Sequence, residues 1–394
     1  MKKKITFVTT NRSEFGIIKN ILYKFDNSRR FNSTLLVAGS HLIKKYGYSF
    51  DEIKKAEYKN ISIIKIHPKK IDIYKIYLNI FEKSYKLFLK NKPDFVFLTG
   101  DRFESLAIAS VCLYLNINLV HLHGGEITLG AIDDAVRHSI SKIAKLHFVA
   151  NETYKNRLIQ LGENPKNIFL SGSPSVENIL GLEFIKLSDL KKKFNIKLKN
   201  YFVLTIHPET IKNKYFDNNV ENVFKVLKKY KKYKKYKIIV TMPSIDEGTK
   251  IIQKIIKKYI DKKQFYFLKS LGSDNYTSLV KHSLGVIGNS SSSLIELPSL
   301  KKGAVNLGNR QNGRVRAKNV IDSDLKLGSI DKALTKLLSN RFNLSLRNIK
   351  NPYYKKDSSN IIFQKILNFR NTNNSKPFNN LIFSKNIQFK LIDK

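Results

Sequence analysis

The chain has 394 residues, 42% of them hydrophobic, with 72 lysines and arginines against 31 aspartates and glutamates, a formal net charge of +41, and one cysteine. That length and apolar content suit two domains with real cores and exclude a disordered basic tail, and the lone Cys112 reads as a buried thiol in a reducing compartment. No apolar run approaches the ~20 residues of a membrane span, and the run 5–8 behind the basic start is too short for a signal segment, so a cytoplasmic protein without a membrane partner is expected.

Residues 5–9 read as a first strand, short, β-branched and bounded by polar residues, leading through Thr10, Asn11, Arg12 and Ser13 into a helix that runs to about residue 25. Strand-like runs recur at 34–38, 61–66, 95–98, 118–120, 147–150 and 168–171, with helical patterns between them, among them 103–115 and 152–161. A lysine-rich helical stretch over 177–200 reads as the crossover into a second unit, where strands are expected at 202–206, 238–241, 265–268, 284–287 and 303–306. Strands alternating with helices imply βαβ units and parallel sheets covered on both faces. The predicted organisation is therefore an N-terminal α/β unit over 1–176, a second over 177–370, and a tail over 371–394 of unassigned use. The densest basic run, KKYKKYKKYK at 228–237, reads as a helix end entering a strand with its tyrosines partly packed. Because lysines are spread over the whole chain they read as solvated faces, and nucleic acid is not an expected partner.

In open α/β sheets ligands bind beyond the carboxyl ends of the strands, which singles out two loops of the segment 94–147. The first carries Asp101 and Arg102; the second carries His121, His123 and Glu126 and leads through Asp133 and Asp134 into a helix with Arg137. Neighbouring carboxylates push each other's pKa apart, giving one group to take a proton and another to donate one; the plainer alternative is helix capping and a dipole interaction. His121 and His123 share a strand face before two glycines turn the chain, an arrangement that does not by itself converge on a metal, and none is expected.

In the second unit, GNSSSS at 288–293 follows a strand and precedes a helix expected from Leu294, a setting that suits either phosphate binding through Ser290 and Ser291 or a solvated turn. Glu296 could accept from a ribose diol or stand exposed at the helix start. The Gly-flanked loop 308–316 packs Arg310, Arg314 and Arg316 together, and guanidinium forks match phosphate oxygens. His207 follows a strand and precedes Pro208, which holds its backbone extended and aims its ring at the crevice.

Taken in order, TGDRFESLAIA (99–109), HLHGGEITLGAIDDAVRHSISKIAKLHF (121–148), GNSSSSLIE (288–296) and VNLGNRQNGRVRAKNVI (305–321), with the loop 11–16, resemble the hydrolysing UDP-N-acetylglucosamine 2-epimerases of sialic acid and related nonulosonic acid pathways. The resemblance implies two Rossmann-like domains facing a cleft, the GT-B arrangement, in a homodimer or homotetramer. It implies a UDP-sugar substrate, UDP-N-acetylglucosamine first, converted through a 2-acetamidoglucal to free N-acetylmannosamine and UDP without cofactor or metal. A nucleotide-linked 2,4-diacetamido-2,4,6-trideoxy sugar is the nearest alternative substrate, and a GT-B glycosyltransferase the rival class. Residue by residue, the resemblance puts Arg12, His207, Ser290, Ser291 and Arg310 along the diphosphate and Glu296 at the ribose, with Asp101, Glu126, Asp133 and Asp134 near the sugar. Arg102 and Arg314, from the same loops, join the substrate-binding candidates; His123 and His207 join the catalytic ones. His123 stands where some members carry a carboxylate, so the base is expected among His123, Glu126 and the aspartate pair. Thr10 and Ser293 replace glycines of many relatives, and the turn 243–246 lacks the family's usual asparagine.

Overall fold

The computed structural model describes residues 2–43, 48–65, 72–211, 214–244, 246, 248–269, 271–370 and 375–381. The first half builds a seven-stranded sheet from β1 (Lys3–Thr9), β2 (Phe31–Val37), β3 (Ile61–Ile63), β4 (Phe95–Thr99), β5 (Asn118–Leu122), β6 (Leu146–Val149) and β7 (Ile168–Leu170), in the order β3-β2-β1-β4-β5-β6-β7. The second builds a six-stranded sheet from β8 (Tyr201–Thr205), β9 (Lys237–Thr241), β10 (Phe265–Leu268), β11 (Val286–Gly288), β12 (Ala304–Leu307) and β13 (Val320–Ser323), in the order β10-β9-β8-β11-β12-β13. The pairings are parallel, as the expected α/β class requires.

Central strands are apolar on both faces, and their period of two separates two cores. In β4, Phe95 and Phe97 enter one core while Val96 and Leu98 enter the other. In β8, Phe202 and Leu204 divide from Tyr201 and Val203 in the same way. Strand order reverses between β1 and β4 and again between β8 and β11. The crevices beyond their carboxyl ends are the places where open sheets take ligands.

Four local expectations need revision or completion. The lysine-rich stretch 177–200 is two short helices, Pro174–Leu180 and Leu187–Phe194, because Gly181 caps the first and Asn195 ends the second in a left-handed conformation. Strand β13, ending in Asp322 and Ser323, was not anticipated. The final helix Ser358–Asn368, assigned by the sequence reading to the second unit, instead inserts Ile362, Phe363 and Ile366 into the first unit's core, with the Phe363 ring 4.9 Å from that of Phe25. The described piece of the tail docks on the first unit too: Lys376 Nζ lies 2.6 Å from Glu163, and the Asn379 N–H donates to the Gly162 carbonyl at 2.9 Å. Residues 371–374 and 382–394 of the tail, and residue 66 of the expected third strand, lie outside the described residues.

The tyrosine-interleaved basic run behaves as expected from its packing. It ends the helix Asn222–Lys229 and enters β9, with Tyr233 buried and its hydroxyl 2.7 Å from Asp331. Cys112 is buried and free. Among the described residues no helix is long and apolar enough to cross a membrane.

Candidate active site

A cleft of about 320 Å³ opens at the carboxyl ends of the two sheets. Arg12, Asp101, Arg102, His123, Glu126 and Asp133 line it from the first half; His207, Ser290, Ser291, Glu296, Arg310 and Arg314 line it from the second. Loops far apart in sequence thus meet at one place, each delivered by the end of a strand near a switch point. Asp134 is not among the lining residues. Its Oδ1 accepts the Thr128 N–H at 2.6 Å and lies 3.5 Å from Arg137, so it braces the turn behind the site rather than facing a ligand.

The first half supplies carboxylates of unlike character. Arg137, fully buried in the helix Asp133–Ile143, donates to Asp101, to the Glu126 carbonyl at 3.0 Å and to Thr128 Oγ1 at 3.1 Å. Burial alone would raise the Asp101 pKa, but Arg137 and Arg314 outweigh it and hold the group below the usual carboxylate range. Glu126 likewise resists the effect of its burial: Arg314 Nε lies 2.9 Å from Oε2, and together with His123 it keeps the acid at about 2. Asp133 goes the other way, because burial and then the neighbouring Asp101 charge push it up to about 6.

His123 sits in the left-handed region (φ 66°), a conformation that non-glycine residues rarely adopt. Its Nδ1 is 3.0 Å from Glu126 Oε1 and its Nε2 is 3.1 Å from Ser173 Oγ. Since Glu126 is ionised and can only accept, the ring proton belongs on Nδ1, leaving Nε2 as the basic nitrogen. The turn that follows needs glycine. A Cβ on Gly125 (φ 76°) would strike the Tyr154 carbonyl, and one on Gly124 would come within 2.8 Å of Ser141 Oγ. His121 is spent structurally: Nδ1 meets Ser141 Oγ at 3.0 Å, Nε2 meets the Gly100 carbonyl at 2.7 Å, and burial pushes the ring down to about 3. It has no nitrogen left for a metal, and no metal-binding cluster occurs among the described residues.

In the second half, the ends of β8 and β11 are clasped by Asn289, which accepts the His207 N–H at 2.7 Å and donates to its carbonyl at 2.9 Å. The His207 Nδ1 accepts the Ser244 N–H at 3.0 Å. Burial and then Arg310 push the ring down to about 3, so it is neutral with its proton on Nε2, a fixed donor. The serine run starts a helix of only four residues, Ser292–Ile295, two positions before the expected start, and the chain breaks at Glu296 before Leu297–Leu300. Burial pushes Glu296 up to about 7 against a hydrogen bond from Ser175.

The arginine loop divides. Arg316 turns outward to Asp322 at 2.6 Å, whereas Arg310 and Arg314 reach into the cleft, 3.4 Å from Asp133 and 2.9 Å from Glu126 respectively. Arg314 is positioned through its neighbour. Tyr154 Oη accepts the Val315 N–H at 3.0 Å, Tyr353 Oη donates to the Val315 carbonyl at 2.8 Å, and the two hydroxyls are 2.6 Å apart. Arg102 crosses the cleft in the opposite sense, 2.6 Å from Asp246 and 3.2 Å from Glu104. Sequence reasoning did not select Arg137 or Asp246. The signal for Arg137 was its spacing, one turn after Asp133 on the buried helix face; for Asp246 it was its place in the turn 243–246, where the chain departs from the family's pattern.

The family model described as UDP-N-acetylglucosamine 2-epimerase matches residues 23–367. The chain is 39% identical over 347 residues to a GDP/UDP-N,N'-diacetylbacillosamine 2-epimerase (hydrolyzing) of Campylobacter jejuni, covering 86% of this chain and 89% of that one. It is 34% identical over 362 residues to polysialic acid biosynthesis protein P7 of Escherichia coli, covering 90% and 91%. Among solved structures, the UDP-GlcNAc 2-epimerase of Neisseria meningitidis bound to UDP-GlcNAc superposes with a TM-score of 0.78 at 19% identity, over 93% of this chain and 100% of that one. That likeness carries the fold, two Rossmann-like domains in the GT-B manner. With the match spanning most of the chain and its motifs in order, the protein belongs to the UDP-N-acetylglucosamine 2-epimerase family.

Proposed function

We propose that the protein is a hydrolysing 2-epimerase of a nucleotide-linked 2-acetamido sugar, binding its substrate in the cleft with the sugar toward Asp101, Glu126 and Asp133. The observation that carries this is the pairing of first-half carboxylates of unlike proton affinity with arginines and a neutral histidine donor from the second half. Abstracting a weakly acidic C–H while expelling a nucleoside diphosphate calls for both. His123, backed by the Glu126 carboxylate, takes the C2 proton on Nε2 after the sugar displaces the Ser173 hydroxyl from that nitrogen. The C1–O bond breaks, and its electron pair leaves with UDP, received by Arg310 and the His207 Nε2–H. Water then adds its oxygen at C1 of the glucal, and C2 receives a proton on the opposite face, for which Asp133 is the donor, the one of Asp101, Glu126 and Asp133 whose proton affinity is raised. The products are the free epimerised sugar and UDP. Arg12, Ser290 and Ser291 line the diphosphate, Glu296 the ribose.

For the sugar itself, the sequence motifs put UDP-N-acetylglucosamine first. The relative at 39% identity, named for diacetylbacillosamine, favours the 2,4-diacetamido-2,4,6-trideoxy sugar instead, and we take that as the leading substrate. The test is kcat/KM for both UDP-sugars side by side, followed by UDP release with identification of the sugar product. A preference of more than tenfold for UDP-N-acetylglucosamine reverses the choice of sugar; turnover of neither sinks the epimerase reading.

A further inference from the structure

We propose, resting on the nucleotide-sugar reading above, that Arg310 is a cation shared between Asp133 and the ligand, so that a bound diphosphate draws it away and Asp133 takes up a proton. Without ligand, the Arg310 guanidinium is poorly served. Its Nη2 lies 3.4 Å from Asp133 Oδ2, its Nη1 lies 3.4 Å from the Asn289 carbonyl, and its Nε is buried without an acceptor among the described residues. Both contacts sit at the long end of the hydrogen-bonding range.

The backbone beneath it is fixed by contrast. The Arg310 N–H donates to Glu209 at 3.1 Å, and Gly130 of the first half packs so closely that a Cβ there would come within 2.8 Å of Arg310 Cα. The head of the side chain is therefore the part free to change partners. A diphosphate offers paired anionic oxygens that match the planar fork with shorter, charge-assisted bonds, which a single carboxylate oxygen at 3.4 Å does not.

The consequence for Asp133 follows from what surrounds it. The charged groups facing it are the carboxylates of Asp101 and Asp246 and the cations of Arg310 and Arg102. Arg102 is already engaged by Asp246 at 2.6 Å and Glu104 at 3.2 Å. When Arg310 turns to phosphate, Asp133 loses a cation and gains an anion as neighbour while Asp101 stays ionised. Both changes favour the neutral acid, so the proton moves from solvent onto Asp133. A proton donor would then be present in the loaded cleft and largely absent from the empty one.

The test is isothermal titration of the full-length protein with UDP-glucose near pH 7 in buffers of different ionisation enthalpy. The diphosphate diester of this probe has no proton of its own to exchange near neutrality, so the slope of heat against buffer enthalpy counts protons taken up by the protein. The expected result is an uptake of roughly half to one proton per site, lost in Asp133→Asn and retained in Asp134→Asn. Infrared difference spectra of the wild-type protein provide a check that needs no variant: a protonated-carboxyl band should grow on adding UDP-glucose. Binding without proton uptake, or uptake undiminished in Asp133→Asn, overturns the inference and leaves the epimerase reading standing. Failure of both UDP-glucose and UDP to bind overturns the nucleotide reading beneath it.

Discussion

Replacing Asp133 with asparagine should cost activity and increase stability, and the size of the gain should depend on pH. Burial and the Asp101 charge raise this carboxyl to about 6 from its ordinary value of 3.8. A folded-state pKa above the unfolded one means that the folded protein holds the proton more tightly. Asp133 therefore contributes no penalty below about pH 4, a growing penalty as pH rises between the two values, and the full penalty above about pH 6. Two units correspond to on the order of 3 kcal/mol at pH 8 and roughly half that at pH 5. Asparagine keeps the shape, and its amide can face Asp101 without a charge. Chemical denaturation of wild type and Asp133→Asn at both pH values measures the difference directly. The variant should be more stable at pH 8 by clearly more than at pH 5, in the manner of a site that trades stability for chemistry. Equal gains at the two pH values, or a loss at pH 8, would refute the electrostatic argument for this residue.

Other substitutions test neighbouring steps. Arg137→Met should destabilise the first unit by about 3–5 kcal/mol, because it leaves Asp101 to the more distant Arg314 and takes the donor from the Glu126 carbonyl and Thr128, and adding Asp101→Asn should recover part of that loss in a double-mutant cycle followed by denaturant melts. Glu126→Gln removes the carboxylate behind His123, and steady-state kinetics should show kcat falling by about 10²- to 10⁴-fold with a smaller change in KM. Phe363→Ala should cost about 3–5 kcal/mol and lower the melting temperature of the first unit, since that ring fills a core built by residues more than three hundred positions away.

What the sequence disclosed follows from where each signal is local. Strands such as Phe95–Thr99 and Tyr201–Thr205 are unbroken apolar runs because both their faces are covered, and such runs are read within a few residues. The candidate loops follow from that, since a parallel sheet puts every strand's carboxyl end on one side. Strand β13 escaped because half of it is Asp322 and Ser323. The final helix shows a buried face in its own pattern of Ile362, Phe363 and Ile366, yet nothing in that pattern names the sheet that receives it. Within the site, Asp133 and Asp134 looked equivalent. On a helix, adjacent residues point about 100° apart, so one faces the cleft and the other the turn behind it. Arg310 and Arg314 were legible as cations for phosphate; that they also hold the first-half carboxylates is a property of two loops meeting across a cleft, which no spacing encodes.

The most direct test of the central claim is a proton NMR time course of the purified protein with the UDP-linked 2,4-diacetamido sugar, and in parallel with UDP-N-acetylglucosamine, in heavy water. UDP should appear in step with a free sugar of inverted C2 configuration carrying deuterium at C2. A product still linked to UDP, or a free sugar that keeps its C2 proton, would contradict that claim.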